Sequence, residues 1–183
     1  MANELFSEAA APSFDDPLGM LAACHRRIEK QLAMLARLQR HLPEHGCDAD
    51  ARAAARNILK YFDHAAPNHH ADEEQSLFPR LAATVKECAP LIGVLLRDHE
   101  RLDENWRRLR PLLAAIAGGQ RANLSPAQVS ETTSIYAEHI AREENELLPL
   151  AERAIDRGTL KVVGEEMAAR RGVDLAAAPR RGG

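Results

Sequence analysis

His69-His70-Ala71-Asp72-Glu73-Glu74-Gln75-Ser76-Leu77-Phe78-Pro79 returns seventy residues later as His139-Ile140-Ala141-Arg142-Glu143-Glu144-Asn145-Glu146-Leu147-Leu148-Pro149, in the same register throughout. Each copy places a histidine four residues before a glutamate. On an α-helix four residues advance about 6 Å and turn about 40° past a full circle, so the two side chains reach one point. An imidazole and a carboxylate aimed together from each of two helices is how a helical bundle holds a metal ion in its interior. For one copy the simpler reading is a surface pair at i,i+4 spacing, worth only about 0.2–0.5 kcal/mol. The aligned second copy reverses that balance.

The remainder of the chain supplies a bundle to hold the two segments. Hydrophobic residues make up 45% of the 183 residues but aromatics only 4%, and Ala, Leu, Arg and Glu dominate, which favours helix over sheet. An all-α fold in a single unit is expected. The helices are read from apolar residues at three-and-four spacing. Helix 1 opens with Pro17 in its first turn, carries Leu18, Leu21, His25, Ile28, Leu32, Leu35 and Leu42 on one face, and stops near Pro43 to Gly46. Helix 2 begins near Asp48 as a cap, turns Ile58, Phe62 and Ala65 inward, and is interrupted by Pro67 just ahead of His69. Helix 3 starts around Pro90, follows Ile92, Leu95, His99, Leu102, Trp106, Leu109, Leu113 and Ile116, is open to bending at Pro111, and ends at Gly118-Gly119. Helix 4 opens at Ser125-Pro126, an N-cap followed by proline, with Val129, Tyr136, His139, Glu143, Leu147 and Leu150 inward. A short fifth helix from about Thr159 to Arg171 is expected to cap one end. The predicted organisation is a flexible N-terminal arm over residues 1–16, an antiparallel up-down-up-down four-helix bundle over 17–157, and a short helix with a disordered tail over 158–183.

Each of the four seams carries one inward histidine: His25, His69, His99 and His139, with Glu73 and Glu143 added from the second and fourth. Taken alone, His25 or His99 would be read as a core histidine with an ordinary partner. A dry core seldom takes six such groups, because each one buried without a partner costs several kcal/mol, and a metal accounts for all six together. Two carboxylates beside four imidazoles suit a pair of iron ions, since carboxylate oxygens can bridge two ions while imidazole nitrogens end on one. Manganese also fits; zinc is less natural, because a structural zinc site closes at four ligands and leans on cysteine. Cys24, Cys47 and Cys88 stand outside this set and form no CxxC pair, so neither a zinc motif nor a disulfide framework is expected.

Other polar residues receive simpler readings. His41 and His45 sit where a helix ends, an ordinary place for histidine. His64 and His70 are expected to face solvent or stand behind a ligand, with an extra metal ligand as the alternative. Glu29 and Asp103 follow His25 and His99 by four residues but lie at the edge of seams that run through Ile28 and Leu102. Tyr136 and Trp106 read first as core packing, with a redox or hydrogen-bonding role as the minor alternative. The Arg107, Arg108 and Arg110 cluster has no aromatic interleaving, and a net charge of -3 exerts no global pull, so neither nucleic acid nor membrane is an expected partner. The first residues lack a basic region and apolar run, and no stretch is long enough to cross a bilayer. A cytoplasmic protein is expected, of unassigned oligomeric state.

His25, the His69-x-x-x-Glu73 run with Leu77-Phe78-Pro79, His99 within Asp98-His99-Glu100, and His139-x-x-x-Glu143 with Leu147-Leu148-Pro149 together resemble the hemerythrin-like, or HHE cation-binding, family over about residues 17–155. The resemblance implies a non-haem di-iron centre in which His25 and His69 serve one iron, His99 and His139 the other, and Glu73 and Glu143 bridge them. Oxygen-carrying hemerythrins have a second histidine four residues after the third-helix ligand, where this chain has Asp103. That departure implies fewer imidazoles and more exchangeable positions, and argues against simple oxygen transport. The expected function is a di-iron protein that binds or senses oxygen, nitric oxide or peroxide. The alternatives are a stress-response enzyme that removes peroxide or nitric oxide, an iron donor, or an interaction module whose ion only holds the bundle together.

Overall fold

Why helices start and stop where they do is visible in their end groups. The computed structural model describes residues 13–175; the first twelve residues of the expected arm and the expected tail over 176–183 lie outside the described residues. The first helix, α1 (Pro17–His45), has Asp16 as its cap, accepting from the Gly19 amide, and ends where Gly46 takes φ +67° and returns its N–H to the Leu42 carbonyl. Glycine carries no Cβ to obstruct that left-handed turn. The second rod opens at Asp48, whose carboxylate accepts from Ala51 N. It comprises α2 (Ala49–Lys60), a π turn (Tyr61–Ala65), α3 (Ala66–Ala71), a second π turn (Asp72–Leu77) and α4 (Phe78–Thr84). After a 3-10 turn (Lys86–Cys88), α5 (Ala89–Ala117) runs on through Pro111. The fourth rod joins α6 (Pro126–Arg142), a π turn (Glu143–Leu147) and α7 (Leu148–Ala154). Ser125 holds the cap position of α6 but makes no side-chain cap bond. The last helix, α8 (Arg157–Arg170), begins two residues earlier than the spacing predicts, because Asp156 accepts from the amides of Gly158 and Thr159.

The break expected at Pro67 takes the form of a π turn, and so do two others. Each π turn is followed by an X-Pro pair: Ala66-Pro67, Phe78-Pro79 and Leu148-Pro149. In each, the residue before proline donates five residues back, to Tyr61, Glu73 and Glu143 respectively. A proline ring collides with the carbonyl four residues earlier and has no N–H to offer it. Widening the turn by one residue relieves that collision without ending the rod.

Rods one and two pack together, two against α5, α5 against the fourth, and the fourth back against α1, so the bundle closes on itself. No strand occurs among the described residues. The core is not continuous. One apolar cluster contains Ile28, Leu35, Ile58, Phe62, Leu102, Leu109, Tyr136 and Ile140. A second contains Leu21, Leu77, Phe78, Leu81, Leu95, Leu147, Val163 and Met167. Between them lies a layer of buried histidines and carboxylates. α8 closes the second cluster by packing on α1 and on the π turn Asp72–Leu77. Its Gly164 admits the Phe14 carbonyl so closely that an added Cβ would stand 1.9 Å from it.

Candidate metal centre

His25 on α1, His69 on α3, His99 on α5 and His139 on α6 stand at one level of the bundle, with Glu73 second and Glu143 first in their π turns. All six are almost wholly shielded, none more than 3% exposed. At that depth an ionisable group without a partner is costly. Yet the Nε2 atoms of His25, His69, His99 and His139 and all four oxygens of Glu73 and Glu143 lack hydrogen-bond partners.

Those eight atoms nonetheless lie in an ordered pattern. His25 Nε2 is 2.9 Å from Glu143 Oε2, and His69 Nε2 is 3.4 Å from Glu73 Oε1. His99 Nε2 is 3.3 Å from Glu73 Oε2, and His139 Nε2 is 3.2 Å from Glu143 Oε1. Each carboxylate therefore turns one oxygen to the His25 and His69 side and the other to the His99 and His139 side. The two resulting sets share both glutamates, and within each set one ligand atom per residue lies within 4.8 Å of the others. Ion–ligand bonds of about 2.1 Å at right angles put neighbouring donor atoms about 3 Å apart. The observed separations have that scale, so this donor set fits metal ions.

Two of the outward nitrogens, those of His25 and His99, are tied down, while His69 Nδ1 has no hydrogen-bond partner. His25 Nδ1 lies 3.0 Å from Glu144 Oε1, and His99 Nδ1 lies 2.6 Å from Glu74 Oε1. A carboxylate there accepts a hydrogen bond from Nδ1–H and leaves the Nε2 lone pair facing inward, which fixes the tautomer a metal requires. His139 Nδ1 has Asp98 Oδ2 at 3.7 Å, and Asp98 is itself ion-paired with Arg142. These acceptors were not singled out in the sequence, although the signal was present: both copies double their glutamate, as Glu73-Glu74 and Glu143-Glu144.

His70 stands beside the donor set. Expected to face solvent or stand behind a ligand, it is buried, its ring stacks on His99 at 4.0 Å between centroids, and its Nε2 has no partner. It forms a further possible donor group with His99 and His139. With His70 counted, the residues gathered here offer five imidazoles. His70, Glu73 and Leu77 fall at +3 and +7, the same inward stripe, which is the spacing that could have found it. His64, Glu29 and Asp103 are exposed, and the structure does not bring them to the centre. His41 instead pairs with Asp48 at 2.9 Å, joining α1 to the cap of α2.

Burial sets the charge states. It pushes the His69 pKa down to about 3 and carries His70 well below the usual imidazole range, so both are neutral donors at neutral pH. His99 is lowered by burial and then by the nearby His139. Burial acts against the His25 imidazolium too, but Glu143 and Glu144 together outweigh it and raise its pKa. Glu73 is driven up by burial and by the like charge of Glu143. Glu143 goes the other way, since His139 and His25 more than offset its burial. A cation between the two carboxylates would remove the repulsion that the pair otherwise carries.

Tyr136 is buried against Phe62, at 5.6 Å between ring centroids. Trp106 is only partly buried and donates from Nε1 to Asp63, so both rings serve packing in the first apolar cluster. No helix among the described residues is long and apolar enough to cross a membrane.

Comparison with known proteins agrees with this arrangement. The family model described as Hemerythrin HHE cation binding domain matches residues 16–151. The chain is also 32% identical over 161 residues to an uncharacterized protein of Haemophilus influenzae (strain ATCC 51907 / DSM 11121 / KW20 / Rd), covering 88% of this chain and 93% of that protein.

Proposed function

Because the chain belongs to the hemerythrin HHE cation binding domain family, we propose that its buried layer holds two iron ions, bridged by Glu73 and Glu143, and binds oxygen, nitric oxide or peroxide there. The observation that carries this reading is the sorting of the four carboxylate oxygens, one from each glutamate toward each pair of histidines. A single ion would need only one of the two sets. His25 and His69 serve one ion, and His99 and His139 the other, joined on that side by His70. Oxygen and nitrogen donors without cysteine favour iron, with manganese as the nearest competitor.

Reduced iron, when bound, would supply the electrons for holding a diatomic or peroxide ligand. The chain does the rest. The imidazoles of His25 and His99, oriented by Glu144 and Glu74, keep their Nε2 lone pairs on the centre, and the neutral rings of His69 and His70 add no charge. The carboxylates of Glu73 and Glu143 balance part of the cationic charge inside an apolar surround. Leu21, Leu77, Leu95 and Leu147 on one side, and Ile28, Phe62, Leu102 and Ile140 on the other, exclude bulk water. A layer shielded this thoroughly admits ligands of a few atoms and rejects larger substrates.

Metal content per chain is the direct test, by elemental analysis of protein from iron-supplemented cells. About two irons per chain are expected from a bridged histidine and carboxylate centre, with His69→Ala and Glu73→Ala each losing metal. One zinc per chain, no metal after iron loading, or full iron in both variants would overturn the reading.

A further inference from the structure

The two halves of the repeat hold their π turns by different means. In the second half, Arg142 sits immediately before Glu143 and pairs with Asp98, which immediately precedes His99. Both partners belong to the four rods. In the first half the aligned position is Asp72, immediately before Glu73, and the residue preceding His25 is Cys24. The four rods thus place at position 72 an acid where the other copy has a base, and a thiol where the other has an acid. Asp72 is nevertheless 0% exposed.

The missing cation comes from α8. Arg171 Nη2 donates to Asp72 Oδ2 at 2.6 Å and its Nη1 to Oδ1 at 3.1 Å, a two-bond fork; Arg170 Nη1 also donates to Oδ1. Arg170 Nη2 donates to Ser76 Oγ at 3.1 Å, one turn further along. Arg171 is itself braced, with Nη1 donating to the Met167 carbonyl at 2.9 Å. Both arginines lie past residue 151, where the match to the cation-binding domain ends.

We propose that α8 is part of the metal centre: Arg170 and Arg171 close on buried Asp72 and fix the π turn from which Glu73 reaches the ions. They are positioning residues, acting through Asp72 on Glu73. The physical argument is that Asp72 and Glu73 are consecutive, so any rotation of the turn that releases Asp72 from its fork swings Glu73 out of register with both pairs of histidines. Without the two guanidinium groups a shielded carboxylate would stand without a cation beside the like charge of Glu73, and the turn would have to open toward water. The proposal rests on the metal-centre reading above. A second tie, Arg80 to Glu166 at 2.7 Å, also fastens α8 to the second rod; Arg80 reaches the Ser76 carbonyl of the same turn but neither Asp72 nor a donor residue, and so separates the fork on Asp72 from a general fastening of α8.

The test uses the full chain carrying Arg170→Met and Arg171→Met together. Co²⁺ is titrated into metal-free protein against a chromophoric chelator, with the Co²⁺ absorption spectrum recorded and folding checked by circular dichroism. The expected result is a folded chain with at least one Co²⁺ bound about tenfold or more weakly and an altered Co²⁺ spectrum, while Arg80→Met retains wild-type affinity and spectrum. Where the double Met variant does not fold, Arg170→Lys with Arg171→Lys keeps both charges but not the forked geometry; a smaller weakening in the same direction is expected. Wild-type affinity and spectrum in the folded Met variant, or in the Lys variant where that replaces it, would overturn the proposal and leave the metal centre standing. Failure of the unmodified chain to bind Co²⁺, Fe²⁺ or Mn²⁺ would overturn both.

Discussion

Asp63 shows how a single carboxylate joins two rods away from the metal layer. It accepts from Trp106 Nε1 at 3.1 Å, from Arg110 Nε at 2.9 Å and from Arg110 Nη2 at 3.0 Å. The Arg110 hydrogen bonds hold its pKa below the usual carboxylate value, against a smaller effect of burial. A carboxylate depressed on folding stabilises the fold above its unfolded pKa of about 4, and that contribution is lost as pH falls through the depressed value. Asp63→Asn should therefore cost metal-free protein about 0.5–1 kcal/mol at neutral pH and progressively less in acid. Urea unfolding across pH 2.5–7 reads this directly, and a cost that stays constant into acid would reject it. Asp63 and the donor residues differ in how far sequence could reveal them. His25, His69, Glu73, His99, His139 and Glu143 were legible because each falls on an apolar seam and two pairs repeat. His70 was harder to read, because its neighbour His69 already filled the seam, although its spacing to Glu73 and Leu77 was present; residues 100° apart on one helix can both face inward. The acceptors Glu74 and Glu144 escaped because partly exposed glutamates look like any solvated helix face until a histidine Nδ1 is found opposite them.

The π turns are devices at the level of the element. Sequence marks Pro67 as an interruption and places Pro79 and Pro149 at the ends of the two repeat copies, but cannot say whether a helix kinks, ends or widens. Here the second rod widens twice and the fourth once, and two of the wide turns begin at or immediately before a glutamate of the centre. One extra residue in a turn rotates everything beyond it by about 100° relative to a regular α-helix. Leu77 and Leu147 therefore reach the second apolar cluster from rods whose Glu73 and Glu143 still face the buried polar layer. Replacing Pro79 and Pro149 with alanine removes the ring collision and restores an N–H, which allows each turn to tighten into regular α-helix. Metal-free protein should then hold or gain thermal stability, while metal affinity falls about tenfold, within the range for a disturbed supporting shell. Chelator competition measures the second quantity. Unchanged affinity would mean that packing of the two clusters, not proline, dictates the wide turns.

At the scale of the whole molecule the polar layer divides the core. The four-rod architecture was readable from seam periodicity alone, since each rod buries one stripe against its neighbours. The role of α8 was not, because Asp72 and Arg171 are 99 residues apart and nothing in either neighbourhood names the other. The division also has an energetic consequence. Two apolar clusters meet across side chains that repel or lack partners when no cation is present, so ions bound there stabilise the folded chain by mass action. At a free-ion concentration 100 times the dissociation constant each site contributes about 2.7 kcal/mol. For a chain of this size about 2–4 °C of melting temperature accompanies each kcal/mol, so chelation should lower the melting point by roughly 5–10 °C for each ion removed. The difference between loaded and metal-free protein should shrink as pH falls, because protons compete for the same imidazole and carboxylate atoms. Calorimetry at neutral and mildly acidic pH tests both parts. Equal melting points for the loaded and chelated chains at neutral pH would show that the layer is stabilised without metal, in conflict with the unpartnered atoms of Glu73 and Glu143.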